Sequence, residues 1–123
     1  MTYRVLVVDD NEVNLRLVSK ILELEGYQVL VAHNGAEAIE KVVQESPDLA
    51  ILDVMMPDID GYDLCRKLRQ PPLCAKMPIL MLTAMNPALE RALALEAGAN
   101  DLWSKPFEMD TFRKRVGELL KNK

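Results

Sequence analysis

Leu49-Ala50-Ile51-Leu52-Asp53 runs straight into Val54-Met55-Met56-Pro57-Asp58-Ile59-Asp60-Gly61. Four consecutive apolar residues, bounded by Pro47-Asp48 before and a Pro/Asp/Gly-rich loop after, read as a strand buried on both faces, the habit of parallel sheets. Asp53 ends that strand, at the edge where open parallel sheets bind ligands. An ionised carboxylate at the lip of an apolar strand must be hydrated, paired or bound to a cation.

Working outward, Arg4-Val5-Leu6-Val7-Val8 is a second β-branched run, and it ends in Asp9-Asp10. Asn11 is placed to N-cap a helix to about Glu25, closed by Gly26 in the left-handed conformation. Leu17, Val18, Ile21 and Leu22 form its expected core stripe, with Leu15 off the stripe. Residues 27–32 form a strand, and Asn34-Gly35 opens a helix over about 36–44 with Ala38, Ile39, Val42 and Val43 inward. A helix over about 62–69 turns Leu64, Cys65 and Leu68 inward and is stopped by Pro71-Pro72. Ile79-Leu80-Met81-Leu82 is another all-apolar strand, ending in Thr83-Ala84. Pro87 begins a fourth helix that Gly98 stops, with Ala88, Ala92, Leu95 and Ala99 expected to face the core. Leu102-Trp103 forms a fifth strand ahead of Ser104-Lys105-Pro106, and a last helix runs from Met109 to about Leu120 with Phe112, Val116, Leu119 and Leu120 apolar.

Strands alternating with helices across short connections predict an α/β fold, a doubly wound flavodoxin-like (βα)5 unit with a parallel five-stranded sheet in the order 2-1-3-4-5. In that topology Asp9, Asp10, Asp53, Thr83 and Lys105 converge on one edge.

At 123 residues the chain reads as one domain, 1–123, long enough to bury most of its apolar surface. Half the residues are apolar and 28% are charged, ordinary globular composition. The net charge of −4 offers no basis for a nucleic-acid grip and suits protein partners and cations. No apolar run approaches the roughly 18 residues of a membrane span, so no membrane role is expected. Tyr3-Arg4 leads at once into a strand, which leaves no room for a signal peptide, and Cys65 and Cys74 form neither a disulfide framework nor a zinc site. The expected compartment is the cytoplasm.

Three carboxylates in one crevice repel one another and call for a cation; oxygen-only ligands point to a hard ion, and Mg²⁺ is preferred. Glycine-rich phosphate loops are absent, but a phosphoryl group could be carried covalently on Asp53. Lys105 would then pair with phosphoryl oxygens, and the Thr83 hydroxyl would donate to one of them. Each residue also has an ordinary explanation: Asp9 or Asp10 as a helix cap, Asp53 as an Asx turn, Thr83 as a strand-end hydroxyl, Lys105 as a surface lysine. Their joint placement on one edge outweighs those explanations. Asp58-x-Asp60-Gly61 resembles a calcium loop only superficially, because an EF-hand register puts Met56 and Lys67 where acids belong. His33 reads as an ordinary polar loop residue.

Four blocks carry a family likeness: Val7-Val8-Asp9-Asp10, Leu52-Asp53-Val54-Met55-Met56-Pro57-x-x-Asp60-Gly61, Leu82-Thr83-Ala84, and Gly98-Ala99-Asn100-Asp101-x-x-x-Lys105-Pro106-Phe107. In order and correctly spaced, they make the chain closely resemble the receiver domain of two-component response regulators. The resemblance implies a signalling switch: Asp53 accepts a phosphoryl group from a histidine kinase or histidine phosphotransfer protein, and binding to a downstream effector protein or output domain changes. It also implies that Asp10, Asp53 and the Met55 backbone carbonyl ligate Mg²⁺, with Asp9 acting through water, and that the Lys105-Pro106 bond is cis. Thr83 would swing toward the aspartyl phosphate and shift the population of the helix 4–strand 5–helix 5 face.

The family usually carries Tyr or Phe three residues before the lysine. Here that position is Leu102, while Trp103 points to the other side of the strand and is expected in the core. Two readings go beyond the family pattern. Met55 and Met85 should flank the phosphoryl group without a general base, so self-dephosphorylation should be slow. Leu89 and Leu93 should point outward from the fourth helix and, with Leu102, form an apolar partner or homodimer surface. Such a chain is not a turnover enzyme. The alternatives are an aspartate-nucleophile phosphohydrolase, which would usually have an acid at position 55, and a phosphate-independent scaffold.

Overall fold

The computed structural model describes residues 2–70, 76–84, 86–105 and 107–121. Its elements alternate without exception: β1 (Arg4–Val8), α1 (Glu12–Leu24), β2 (Gln28–Ala32), α2 (Gly35–Glu45), β3 (Leu49–Asp53), α3 (Gly61–Arg69), β4 (Ile79–Thr83), α4 (Pro87–Ala97), β5 (Asp101–Ser104) and α5 (Met109–Lys121). The strands form one parallel sheet in the order β2-β1-β3-β4-β5, as the alternation predicts. The central strands β3 and β4 are buried along their whole length, as expected of apolar runs covered on both faces.

Side-chain alternation divides the core in two. Leu6, Val8, Ala50, Leu52, Ile79, Met81 and Leu102 pack toward α2, α3 and α4. Val5, Val7, Leu49, Ile51, Leu80 and Leu82 pack toward α1 and α5, against Phe112, Val116, Leu119 and Leu120. Helix starts follow local chemistry. Asn11, Asn34, Asp60 and Asn86 each accept a backbone N–H of the first turn. Gly26 and Gly98 lie in the left-handed region at φ 88° and 101°, where a glycine ends a helix without the Cβ penalty.

Three helix faces differ from the sequence expectation. On α1, Leu15 is buried and Leu17 exposed, because Leu15, Val18 and Leu22 are the set at i, i+3, i+7 that lies in one line. On α2, Gly35, Ala38 and Val42 make the equivalent line; Ile39 packs at its margin and Val43 faces solvent. On α4, Ala94 and Ala97 face the sheet while Ala88, Ala92 and Leu95 are exposed. Small alanines allow α4 to lie close to the sheet, and its leucines are left outside. Ala99, just past the helix, is buried as expected. Pro71-Pro72 and Cys74 lie outside the described residues; Cys65 is a buried free thiol. Among the described residues no helix is long and apolar enough to cross a membrane.

Candidate phosphoacceptor crevice

Register brings the polar strand ends together. Val8 pairs with Leu52, Asp53 with Leu82, and Thr83 with Ser104, so Asp9, Asp53, Thr83 and Lys105 all emerge at the carboxyl edge. Carboxylate oxygens of Asp9, Asp10 and Asp53 lie within 4.8 Å of one another. Asp9 and Asp53 are buried, Asp10 exposed. The Lys105 ammonium sits between the two buried acids, its Nζ 3.4 Å from Asp9 Oδ2 and 3.3 Å from Asp53 Oδ1. The Lys105 backbone N–H donates to the Thr83 carbonyl at 2.7 Å, joining the ends of β4 and β5. Thr83 is fully buried.

Burial, and then the neighbouring Asp9 charge, push Asp53 up to about 6, while Lys105 pulls the other way. A single ammonium does not neutralise three carboxylates, and every ligand atom in the group is a hard oxygen. That donor set fits a hard divalent cation. Asp9 is also structural, since its Oδ1 accepts the Asn11 N–H at 2.9 Å and shapes the turn into α1. The capping role that the sequence allows for this residue is therefore present, alongside its place in the acidic group.

Gly61 admits α3 to the end of β3. Its N–H donates to the Val54 carbonyl at 2.7 Å, and a Cβ there would overlap the Asp53 carbonyl oxygen and the Val54 Cα. Met55, two residues past Asp53, is exposed. Met85 and Pro106, with the expected cis bond, lie outside the described residues.

Leu89 and Leu93 are exposed on α4, 74% and 42%, but Leu102 is only 1% exposed, which corrects its place in the partner surface. Strand alternation turns Leu102 under α4, into the core. Trp103 lies on the opposite face, half-buried rather than core, and its Nε1 donates to Asp101 Oδ2 at 3.0 Å. Asp101 also binds Arg91 of α4 at 2.9 Å and Arg115 of α5 at 2.8 Å, so one carboxylate ties α4, β5 and α5 together. Sequence reading assigned that residue no role, because its partners are distant along the chain.

An apolar cavity of about 400 Å³ opens beside Asp9 and Lys105, walled by Leu17, Ile21, Phe107 and Met109. The exposed Leu17 therefore lines the approach to the crevice. Asp58 and Asp60, the superficial calcium motif, serve as helix caps: Asp60 Oδ1 accepts Asp63 N–H at 2.8 Å, and Asp58 reaches the start of α2. His33 bridges Glu37 at 3.0 Å and Glu12 at 3.2 Å, more than a plain loop residue would do.

Residues 5–117 match the family model described as the response regulator receiver domain. The chain is 44% identical over 121 residues to the alkaline phosphatase synthesis transcriptional regulatory protein PhoP of Bacillus subtilis, covering 98% of this chain and 50% of that protein. It is 41% identical to the response regulator MprA of Mycobacterium ulcerans, covering 98% of this chain and 51% of the relative. The chain thus spans about half the length of these curated relatives. Among solved structures, a CheY-like response regulator receiver domain protein from Methanospirillum hungatei superposes with a TM-score of 0.91 at 30% identity, covering 99% of this chain and 96% of that one. The chain belongs to the receiver-domain family of two-component response regulators.

Proposed function

We propose that residues 1–123 form a phosphorylation-dependent switch in which Asp53 takes a phosphoryl group from a phosphohistidine of a histidine kinase or histidine phosphotransfer protein. The observation that carries this reading is Lys105 Nζ at 3.3 Å from Asp53 Oδ1, in a crevice that also holds Asp9 and Asp10. An Asp53 carboxylate oxygen attacks phosphorus, the P–N bond breaks, and the imidazole nitrogen keeps the electron pair and takes up a proton. Once phosphorylated, Asp53 no longer competes for the Lys105 ammonium, which pairs with the phosphoryl oxygens instead. The Thr83 hydroxyl donates to one of those oxygens. Asp9, Asp10, Asp53 and the Met55 carbonyl would hold Mg²⁺, which neutralises charge gathered on the transferring group.

Met55 and Met85 supply no general base, so the acyl phosphate persists and the chain signals rather than turns over substrate. The apolar cavity beside Lys105 offers the donor protein a surface adjoining the reacting carboxylate. Leu89 and Leu93 supply an outward face for an effector, an output domain or a second copy of the chain; Leu93→Asp should weaken that contact. The proposed setting is the cytoplasm, without direct contact to nucleic acid or membrane.

Incubation with acetyl phosphate and Mg²⁺ tests the reading. One phosphoryl group per chain is expected, lost on adding a chelator beforehand. Steady phosphate release from phosphoesters would instead support a phosphohydrolase, and no labelling at all would support a scaffold.

A further inference from the structure

The loop that follows Asp53 is secured at both ends by its own backbone. Val54 N–H donates to the Leu82 carbonyl at 3.0 Å, and Gly61 N–H donates to the Val54 carbonyl at 2.7 Å. Between these points the loop carries Met55 past the crevice and then reaches sideways to α2. Asp58 Oδ1 accepts the Gly35 N–H at 3.0 Å, and Asp58 Oδ2 accepts the Ala36 N–H at 3.2 Å. Those two N–H groups have no partner within the helix. The next one, of Glu37, is taken by Asn34 Oδ1 at 2.9 Å, so Asp58 completes a cap that Asn34 begins. The Gly35 and Ala36 N–H bonds hold the Asp58 carboxyl below the usual carboxylate range, even though the side chain is exposed. A steric contact accompanies the polar one: a Cβ on Gly35 would overlap Ile59 Cγ2, and Ile59 packs on the core.

We propose that Asp58 is a positioning residue for the crevice: seated on the first N–H groups of α2, its carboxylate holds the β3–α3 loop so that the backbone beside Asp53 keeps its place. α2 contributes no side chain to the Asp9, Asp10 and Asp53 group, yet it anchors the loop that passes it. Asp58 need not touch the reacting atoms. This inference rests on the reading of the crevice as a cation site with Met55 as a backbone ligand.

Mg²⁺ titration by calorimetry, with thermal melts of the same proteins, tests it. Asp58→Ala should weaken Mg²⁺ binding about tenfold, the order seen when a group that orients a metal ligand is removed. Asp58→Asn should recover most of the affinity, because its amide oxygen still accepts one of the two N–H groups. Gly35→Ala displaces Ile59 without altering charge, so it should weaken Mg²⁺ binding as Asp58→Ala does. If either loss merely reflected global loosening, the melting temperature and the affinity would fall together and Asp58→Asn would not separate them; that result overturns the proposal. Unchanged Mg²⁺ affinity in both Asp58→Ala and Gly35→Ala, with the parent binding normally, overturns it as well. A parent that binds no Mg²⁺, or binds it as well after Asp53→Asn, overturns the reading of the crevice itself.

Discussion

Asp53→Asn should make the metal-free protein more stable, by an amount that depends on pH. The Asp53 carboxyl rises from 3.8 to about 6 on folding, through burial and the Asp9 charge. The folded state therefore holds this proton more tightly than the unfolded chain, and the ionised form destabilises the fold. Below about pH 4 both states are protonated and the cost is absent; it grows through the interval up to about 6 and is complete above it. At 1.36 kcal/mol per pH unit the full cost is about 3 kcal/mol, and water at the mouth of the crevice, where Asp10 is exposed, lowers it to about 2 kcal/mol. For a domain of this size that is about 6–10 °C in melting temperature. Thermal melts in chelator at pH 7.5 should place the asparagine variant above the parent, with the curves converging near pH 4. Saturating Mg²⁺ should then raise the parent and leave the variant nearly unmoved, since a ligand held at about 100 Kd stabilises by about 2.7 kcal/mol. A variant that melts below the parent at pH 7.5, or a gap that does not shrink on acidification, would refute the reasoning.

Other expectations follow from single contacts. Lys105→Met removes the cation between Asp9 and Asp53; Asp53 should titrate higher still, which carboxyl-resolved NMR would register. The fold should lose about 1–2 kcal/mol in chelator, below the roughly 3–5 kcal/mol of a fully buried pair because the Lys105 side chain is partly exposed and Asp53 can take up a proton. Gly61→Ala forces a methyl into the Asp53 and Val54 backbone and should cost at least about 2 kcal/mol in urea melts. His33 is the only histidine, and the Glu37 hydrogen bond first, with Glu12 adding, raises its pKa above 6.5; its ring resonances should therefore titrate late, and Glu37→Gln should return the midpoint toward 6.5. Met55→Asn places a polar group capable of holding water beside the proposed acyl phosphate and should shorten its lifetime about tenfold, less than the roughly 100-fold or more of a true general base because an amide only positions the water; an unchanged lifetime would show that Met55 does not protect the phosphate.

Most of the architecture was legible because its signals are local. Apolar runs such as Leu49–Leu52 and Ile79–Leu82 are short and bounded by turn residues, which reads as buried strand, and each ends in the polar residue that the sheet then delivers to one edge. Asp9, Asp10, Asp53 and Lys105 could thus be assembled from strand order alone. Helix orientation was harder to read where apolar residues surround the axis. On α4 the choice between leucines and alanines as the inner face depends on how closely the helix meets β4 and β5, a property of the packed protein, and Ala94 and Ala97 prevail. Leu102 was misplaced for a related reason: its position along the chain suggested a surface, whereas the pleat sends it under α4. The roles of Asp58 and Asp101 depend on partners far away in sequence, Gly35 and Ala36 for the first, Arg91 and Arg115 for the second. No spacing rule announces such contacts.

The central claim is that the side chain at position 53 itself becomes phosphorylated. Intact-protein mass spectrometry of the parent and Asp53→Asn, each exposed to acetyl phosphate with Mg²⁺, measures this most directly. One added phosphoryl group is expected on the parent, released by hydroxylamine as befits an acyl phosphate, and none on the variant. Equal labelling of both proteins would contradict the claim.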